Sequence, residues 1–230
     1  MKSVSDKSFN SPQHYDRMLN QGISLSGETR DFFAEGRVAE VVRRLPRDFR
    51  PRRILDFGCG TGDTCRLLAR AFPGADVVGA DTSVDAVSWA AAHQTGLFSF
   101  MPISNLPTAA PFDLCYLNGV LHHVPRSEQL AVISGIHESL STAGHIAVFD
   151  NNPLNPGARL VMKRIPFDRD ARMLSAARTR RLLQTAGFST LPPTRFLFFF
   201  PRQLARLRFA EPWLSRVPLG AQYCVIGRRA

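Results

Sequence analysis

Apolar residues follow two alternating patterns along the chain. Short apolar runs bounded by glycine, proline or aspartate predict buried β-strands at 54–57, 76–80, 98–103, 112–117, 146–149, 196–200 and 222–226. Apolar residues spaced three or four apart predict helices at 33–45, 63–72, 84–92, 127–140 and 175–186. Strands that alternate with helices of about ten residues predict an α/β fold, with a doubly wound, mostly parallel sheet of seven strands.

The strand ends indicate where a ligand would bind. In open α/β sheets, ligands occupy the crevice beyond the carboxyl ends of the strands, near the point where the strand order reverses. The residues that follow the first, second and fourth predicted strands are therefore the candidates for a site.

A glycine-rich loop follows the first predicted strand. Residues 56–62 read Asp-Phe-Gly-Cys-Gly-Thr-Gly, and a dinucleotide loop of the GxGxxG type would need a further glycine at position 63. The chain has Asp63 there, whose carboxylate would repel a pyrophosphate. S-adenosylmethionine has no phosphate and carries cationic ammonium and sulfonium groups, which Asp56 could compensate. This loop, together with the Asp81 that ends the second predicted strand, favours S-adenosylmethionine over NAD.

Asp81 ends the second predicted strand and could accept hydrogen bonds from both hydroxyls of a ribose. Glycine-rich turns follow many strands, however, and an aspartate at a strand end is often only a helix cap. The order strand, GxGxG, helix, strand, acid is what favours a nucleoside site.

Four motifs resemble those of class I S-adenosylmethionine-dependent methyltransferases in order and spacing: ILDFGCGTG, VVGADTS, FDLCYLNGVLHHV and LLQTAGF. The resemblance covers about residues 38–190 and is similar to the small-molecule branch that includes the ubiquinone and menaquinone methylases. It implies a Rossmann-like domain over residues 33–230, with an acceptor-side insertion near 151–175. Residues 1–32 would form an N-terminal helical lid.

The resemblance also implies a set of cofactor contacts. Four loop residues would line the methionine and ribose side: Asp56, Gly58, Cys59 and Gly60. Asp81 would hold the ribose hydroxyls, Thr82 would lie beside the adenine, and Asn118 would offer its backbone carbonyl to the methionine amino group. The family's aspartate after the third strand is replaced by Ile103-Ser104-Asn105, so Ser104 or Asn105 would have to substitute for it.

Two residues of the N-terminal region are candidates for the methionine carboxylate. Tyr15 could reach it and Arg37 could pair with it. The alternative is that both are ordinary surface residues.

His122 and His123 follow the fourth predicted strand and are the candidate catalytic residues. Transfer to an oxygen usually requires removal of its proton, and histidine is the commonest base near neutral pH. The alternative is that the histidines hold the loop. No Cys/His cluster has ligand spacing, so no metal is predicted. Asn152 and Asn155, after the fifth strand, are predicted to line the acceptor pocket.

Charge and composition bear on location and partners. The 230 residues include 29 lysines and arginines against 19 acids, a net charge of +10 that would attract anions unless the arginines are simply solvated surface. The four cysteines form no CxxC pair, and the N-terminus has no apolar core of the signal-peptide type. We therefore expect a cytoplasmic protein without a transmembrane segment. The run 196–200, followed by several arginines, could suit peripheral membrane contact.

The leading hypothesis is methyl transfer from S-adenosylmethionine to an oxygen or nitrogen atom of a small or lipid-linked molecule, which could be anionic. One alternative is methylation of RNA or another nucleic acid, motivated by the net charge. The other is a cofactor-binding scaffold without turnover.

Overall fold

The computed structural model describes residues 22–96, 98–108, 111–165 and 171–230, with backbone only at 107–108. Tyr15 and most of the predicted lid lie outside the described residues. The seven strands are β1 Arg53–Phe57, β2 Asp76–Asp81, β3 Phe98–Pro102, β4 Phe112–Asn118, β5 Leu140–Asn151, β6 Phe188–Leu197 and β7 Gln222–Arg229. The helices are α1 Arg30–Arg44, α2 Asp63–Ala71, α3 Val84–His93, α4 Gln129–Ser139, α5 Pro156–Arg164, α6 Ala176–Thr185 and the short α7 Glu211–Leu214.

The strands form one sheet in the order β3-β2-β1-β4-β5-β7-β6. The pairs from β3 to β5 are parallel, whereas β7 runs antiparallel to both β5 and β6. The predicted fold, a mostly parallel seven-stranded sheet, is confirmed. Its order reverses between β1 and β4, so their carboxyl ends flank the expected ligand crevice.

Residues of each central strand alternate between two hydrophobic clusters, one on each face of the sheet. Leu55 and Leu117 belong to the cluster that includes Ile133 of α4 and Leu183 of α6. Their neighbours Ile54 and Tyr116 belong to the cluster that contains residues of α1 and α2. Helices therefore cover both faces, as strands with near-continuous apolar runs require.

The bounds of β6 differ most from the prediction. The strand was expected at 196–200, but it spans Phe188–Leu197, and Phe198 adopts a positive φ of 62°. Pro192 and Pro193 hide this strand in the sequence, because proline has no N–H to donate and is therefore rare inside paired strands. The register with β7 shifts around them, between Leu191 and Arg195. The prediction for 198–200 was wrong.

Helix α5 was not predicted, because residues 151–175 were interpreted only as an insertion. The local signals for it are present. Asn155 caps the helix by accepting a hydrogen bond from Ala158 N at 2.8 Å, and Pro156 occupies the first turn. Within the described ranges, no helix is both long and apolar enough to cross a bilayer.

We predict that Thr179→Val destabilises the fold by about 1–3 kcal/mol, because the buried hydroxyl of Tyr223 would lose its partner. The two hydroxyl oxygens lie 2.7 Å apart and join α6 to β7. Urea unfolding measures the change. The exposed Thr185→Val in the same helix serves as the control, and Thr179→Val with Tyr223→Phe should recover part of the loss. Equal losses for Thr179→Val and Thr185→Val would contradict this role.

Candidate active site

A cavity of about 620 Å³ lies at the carboxyl ends of β1, β4 and β5. Its floor includes Asp56 from β1, Asn118 from β4 and Asp150 from β5, and its cover includes residues from α1 and from the segment before it. The cavity thus occupies the crevice at which the strand order reverses.

Backbone hydrogen bonds fix the loop between β1 and α2 against the end of β2. Gly58 N and Cys59 N both donate to Ala80 O, at 2.7 and 3.1 Å. Gly58 has φ of +78°, and a Cβ there would lie 2.3 Å from a methyl of Val120. Gly60 has φ of +53° and lines the cavity, with open space where a Cβ would stand. A ligand can therefore approach the backbone at Gly60 closely.

Asp81 fixes this loop from the neighbouring strand. Its Oδ2 accepts a hydrogen bond from Gly60 N and its Oδ1 accepts one from Ser83 N, both at 2.9 Å. One carboxylate therefore connects the glycine loop to the start of α3. The side chain is half-buried beside the loop and is not part of the cavity wall.

Asp56 is a buried carboxyl in the floor of the cavity. Desolvation raises the pKa of Asp56 to about 7, and the charge of Asp81 adds to this effect. The thiol of Cys65, 3.5 Å away, and the more distant cation of Arg37 oppose it. A positively charged ligand beside Asp56 would favour the ionised carboxylate.

Two arginines join α1 to the site. Arg37 is buried, and its Nε donates to the hydroxyl of Tyr116 at 2.9 Å while Nη1 donates to Gln222 Oε1 at 3.1 Å. Arg30 forms an ion pair with Asp63 at 2.8 Å. Asp63, the residue whose carboxylate was expected to repel a pyrophosphate, is therefore bound to α1 through this ion pair.

His122 and Asp150 form a buried pair in the cavity wall. His122 Nδ1 lies 2.6 Å from Asp150 Oδ1, which also accepts from Asn151 N at 2.7 Å. A carboxylate acceptor places the His122 proton on Nδ1, so that Nε2 carries the lone pair of the neutral ring. His123 is exposed and its ring centroid lies 4.2 Å from that of His122.

The other predicted site residues divide into two groups. Those that line the cavity with Asp56 and His122 are Gly58, Cys59, Gly60, Asn118, Arg37, His123 and Asn155. Thr82 and Ser104 are exposed and lie outside the cavity wall. Asn152 also lies outside it: its side-chain nitrogen donates to the carbonyls of Pro218 and Gly220, at 3.0 and 2.9 Å. The amide of Asn152 thus holds the loop before β7.

An aromatic wall was missed in the sequence. Phe32 and Phe33 of α1 meet Phe198, with ring centroids 5.7 and 4.9 Å apart. Phe199 and Phe200 continue this side, and Leu160 and Ile165 line the cavity from the α5 region. Residues 198–200 were predicted to belong to a buried strand. Because β6 ends at Leu197, they lie beyond the strand and line the cavity.

Asp150 was also missed as a partner of His122. Each follows a predicted strand, and neighbouring parallel strands bring their carboxyl ends to one edge. The pairing of β4 with β5 could therefore have suggested the contact.

Comparison with known proteins bears on the family. The family described as a methyltransferase domain matches residues 31–192. A trans-aconitate 2-methyltransferase from Methylobacterium nodulans is 30% identical over 147 residues, which cover 62% of this chain and 56% of that protein. The chain thus spans little more than half the length of that relative.

Solved structures share the fold at lower identity. An S-adenosylmethionine-dependent methyltransferase from Archaeoglobus fulgidus superposes with a TM-score of 0.67 at 15% identity, covering 90% of this chain and 97% of that one. Magnesium protoporphyrin IX methyltransferase from Synechocystis, solved with bound S-adenosylhomocysteine, gives 0.66 at 20% identity and full coverage of both chains. The chain belongs to the methyltransferase domain family, and the class predicted from its motifs, S-adenosylmethionine-dependent class I, is confirmed.

Proposed function

We propose that this chain transfers a methyl group from S-adenosylmethionine to an oxygen or nitrogen atom of a small molecule with an apolar body. The observation that carries the proposal is a single cavity that joins the glycine loop and Asp56 to the His122–Asp150 pair and an aromatic wall. The named activities of the related methyltransferases support the reaction class.

The residues present fit the cofactor. The open space above Gly60 admits a nucleoside against the backbone, and buried Asp56 provides a carboxyl for a cationic methionine moiety. Asn118 lines the same floor and would receive the amino group at its carbonyl. When bound, S-adenosylmethionine supplies a methyl carbon that its sulfonium already activates. The chain's residues then have to hold the acceptor atom close and in line.

The character of the wall supports an apolar acceptor. Phenylalanines from α1 and from 198–200 form one side, with aliphatic residues of α5 nearby. Among the described residues, two arginines line the cavity: Arg30 is engaged by Asp63, and Arg37 by Tyr116 and Gln222. This lining suits an aromatic or aliphatic acceptor better than the tricarboxylate in the names of the Methylobacterium and other relatives.

The His122–Asp150 pair supplies proton removal. His122 Nε2 would accept the proton of an acceptor hydroxyl as the new bond to carbon forms, or the proton that an amine nitrogen must lose after it has taken up the methyl group. Asp150, buried beside Nδ1, would stabilise the resulting imidazolium. His122 is thus the proposed base and Asp150 its positioning residue.

A metabolite screen tests the reaction class. The protein is incubated with S-adenosylmethionine and an extract, and mass spectrometry follows gains of one methyl group. Methylated small molecules would support the proposal. Cofactor binding without any product would favour a scaffold, and methylated RNA would favour a nucleic-acid enzyme.

We expect Asp81→Ala to weaken S-adenosylmethionine binding at least tenfold in calorimetry. The substitution removes the acceptor of Gly60 N and Ser83 N, together with any bond to the ribose. Asp85→Ala, in the first turn of α3, is the matched control and should bind normally. Normal binding by a folded Asp81→Ala protein would contradict the proposed cofactor site.

The affinity for S-adenosylmethionine should rise as the pH rises through about 7, because ionised Asp56 attracts the cationic cofactor and protonated Asp56 does not. Asp56→Asn should bind more weakly and lack this slope, whereas exposed Asp85→Asn should retain it. Calorimetry across pH measures both. A wild-type affinity that is flat or falls through this range would exclude the role of Asp56.

His122→Asn should lower kcat for a hydroxyl acceptor found in the screen by about 10²-fold or more, with cofactor affinity unchanged. Asp150→Asn should lower kcat and shift its pH profile, because the histidine loses its orienting carboxylate. His123→Asn, at the exposed neighbour, is the control and should retain most of the activity. Full activity of His122→Asn would show that no base at this position is needed.

A further inference from the structure

Exposed apolar side chains are concentrated in one stretch of the surface. Twelve large apolar side chains are exposed among the described residues, and six of them lie within residues 204–219: Leu204, Leu207, Phe209, Trp213, Val217 and Leu219. We call these six the apolar strip. Trp213 is 76% and Phe209 69% exposed, and their rings meet edge to face at 6.2 Å. Aromatic side chains exposed to this degree within a larger apolar patch indicate an interaction surface.

The segment that carries the apolar strip contacts residues of the cavity wall at two points. Within the segment, Arg208 pairs with Glu28 at 2.7 Å and lies 4.5 Å over the ring of Phe32. At the end of the segment, Asn155 donates to the carbonyl of Leu219 at 2.7 Å. Glu28, Phe32 and Asn155 all line the cavity. The segment that carries the strip is therefore adjacent to the cavity wall.

The exposed charges of the strip's own segment, residues 202–219, are positive. Arg202, Arg206 and Arg216 are exposed, whereas Glu211, the single acid between residues 202 and 219, is half-buried. Its Oε1 accepts hydrogen bonds from Phe199 N and Phe200 N, both at 3.1 Å. Helix α5, which also lines the cavity, has no acid and carries three exposed cations: Arg159, Lys163 and Arg164.

We propose that the apolar strip and the surrounding cations dock this face onto an anionic lipid bilayer. Tryptophan, phenylalanine and leucine partition into the interface between headgroups and acyl chains, and arginines beside them attract anionic headgroups. An RNA surface would use aromatic rings for stacking on bases, and four of the six strip residues are aliphatic. The docking does not depend on the proposed methyl transfer. For that function, it would allow an acceptor dissolved in the bilayer to enter the cavity.

Vesicle flotation tests the docking with the full chain and no cofactor. We expect binding to vesicles of phosphatidylcholine mixed with phosphatidylglycerol, weaker binding at high salt, and little binding to phosphatidylcholine alone. Phe209→Ser with Trp213→Ser should weaken binding at least tenfold, and Arg206→Gln with Arg216→Gln should reduce it on the anionic vesicles. Val84→Ser removes an exposed apolar side chain outside the strip and is the matched control. Circular dichroism confirms that each variant folds.

Tryptophan fluorescence locates the contact, because the chain has only Trp89 and Trp213. In Trp89→Phe protein, the emission of Trp213 should shift to shorter wavelength when anionic vesicles are added. In Trp213→Phe protein, the emission of Trp89 should stay unchanged.

Three outcomes would overturn the proposal. One is an unshifted Trp213 with vesicle binding equal in wild type and the double serine variant. Another is displacement of the protein from anionic vesicles by transfer RNA, together with a Trp213 shift on that RNA alone, which would make the strip a nucleic-acid surface. The third is a dimer in solution that the double serine variant converts to monomer, which would make the strip a contact between two copies of this chain.

Discussion

The candidate site depends on how one carboxylate holds the loop after β1. Three glycines at positive φ give that loop a path that few other residues could follow, and such a path has little intrinsic stability. Asp81 compensates for this by accepting one hydrogen bond from the loop and one from the start of α3. The backbone at Gly60 is thereby presented to the cavity before any ligand arrives, so that a ligand does not have to order it.

The electrostatics of the site follow from the same geometry. Asp56 is buried at the end of β1, and this desolvation raises its pKa to about 7. A carboxyl in this state is poised to change charge when a cation enters. The second carboxyl of the floor, that of Asp150, instead contacts His122, with 2.6 Å between Oδ1 and Nδ1. The floor thus holds two acids in different environments, separated by the end of β4.

Much of the fold was predictable because its signals are local. Buried parallel strands appear as apolar runs, and the GxGxG sequence with Asp81 is defined within thirty residues of chain, which is why β1, β2 and their loop were placed well. The partner of His122 and the aromatic wall were not predictable in this way. Asp150 is brought to His122 by strand pairing, and Phe198 meets Phe32 across more than 160 residues. The first part of β6 was not predicted because it contains two adjacent prolines, which are rare in paired strands since they donate no hydrogen bond. Thr82 and Ser104 were expected from the resemblance and Asn152 from its place after the fifth strand, and all three lie outside the cavity wall, because the paths of the loops that carry them are not encoded in a local pattern.

The place of β7 in the sheet has a consequence for how the chain acquires its structure. In the described sheet, β6 pairs with β7 alone, and β7 follows it by more than twenty residues and must insert antiparallel beside β5. Until β7 arrives, β6 has no sheet partner and the outer edge of β5 is uncovered. The aromatic run that follows β6 is then equally unprotected. During synthesis, this half of the molecule is therefore open to wrong strand pairing for longer than the β1–β4 half, which can close as soon as β4 is made.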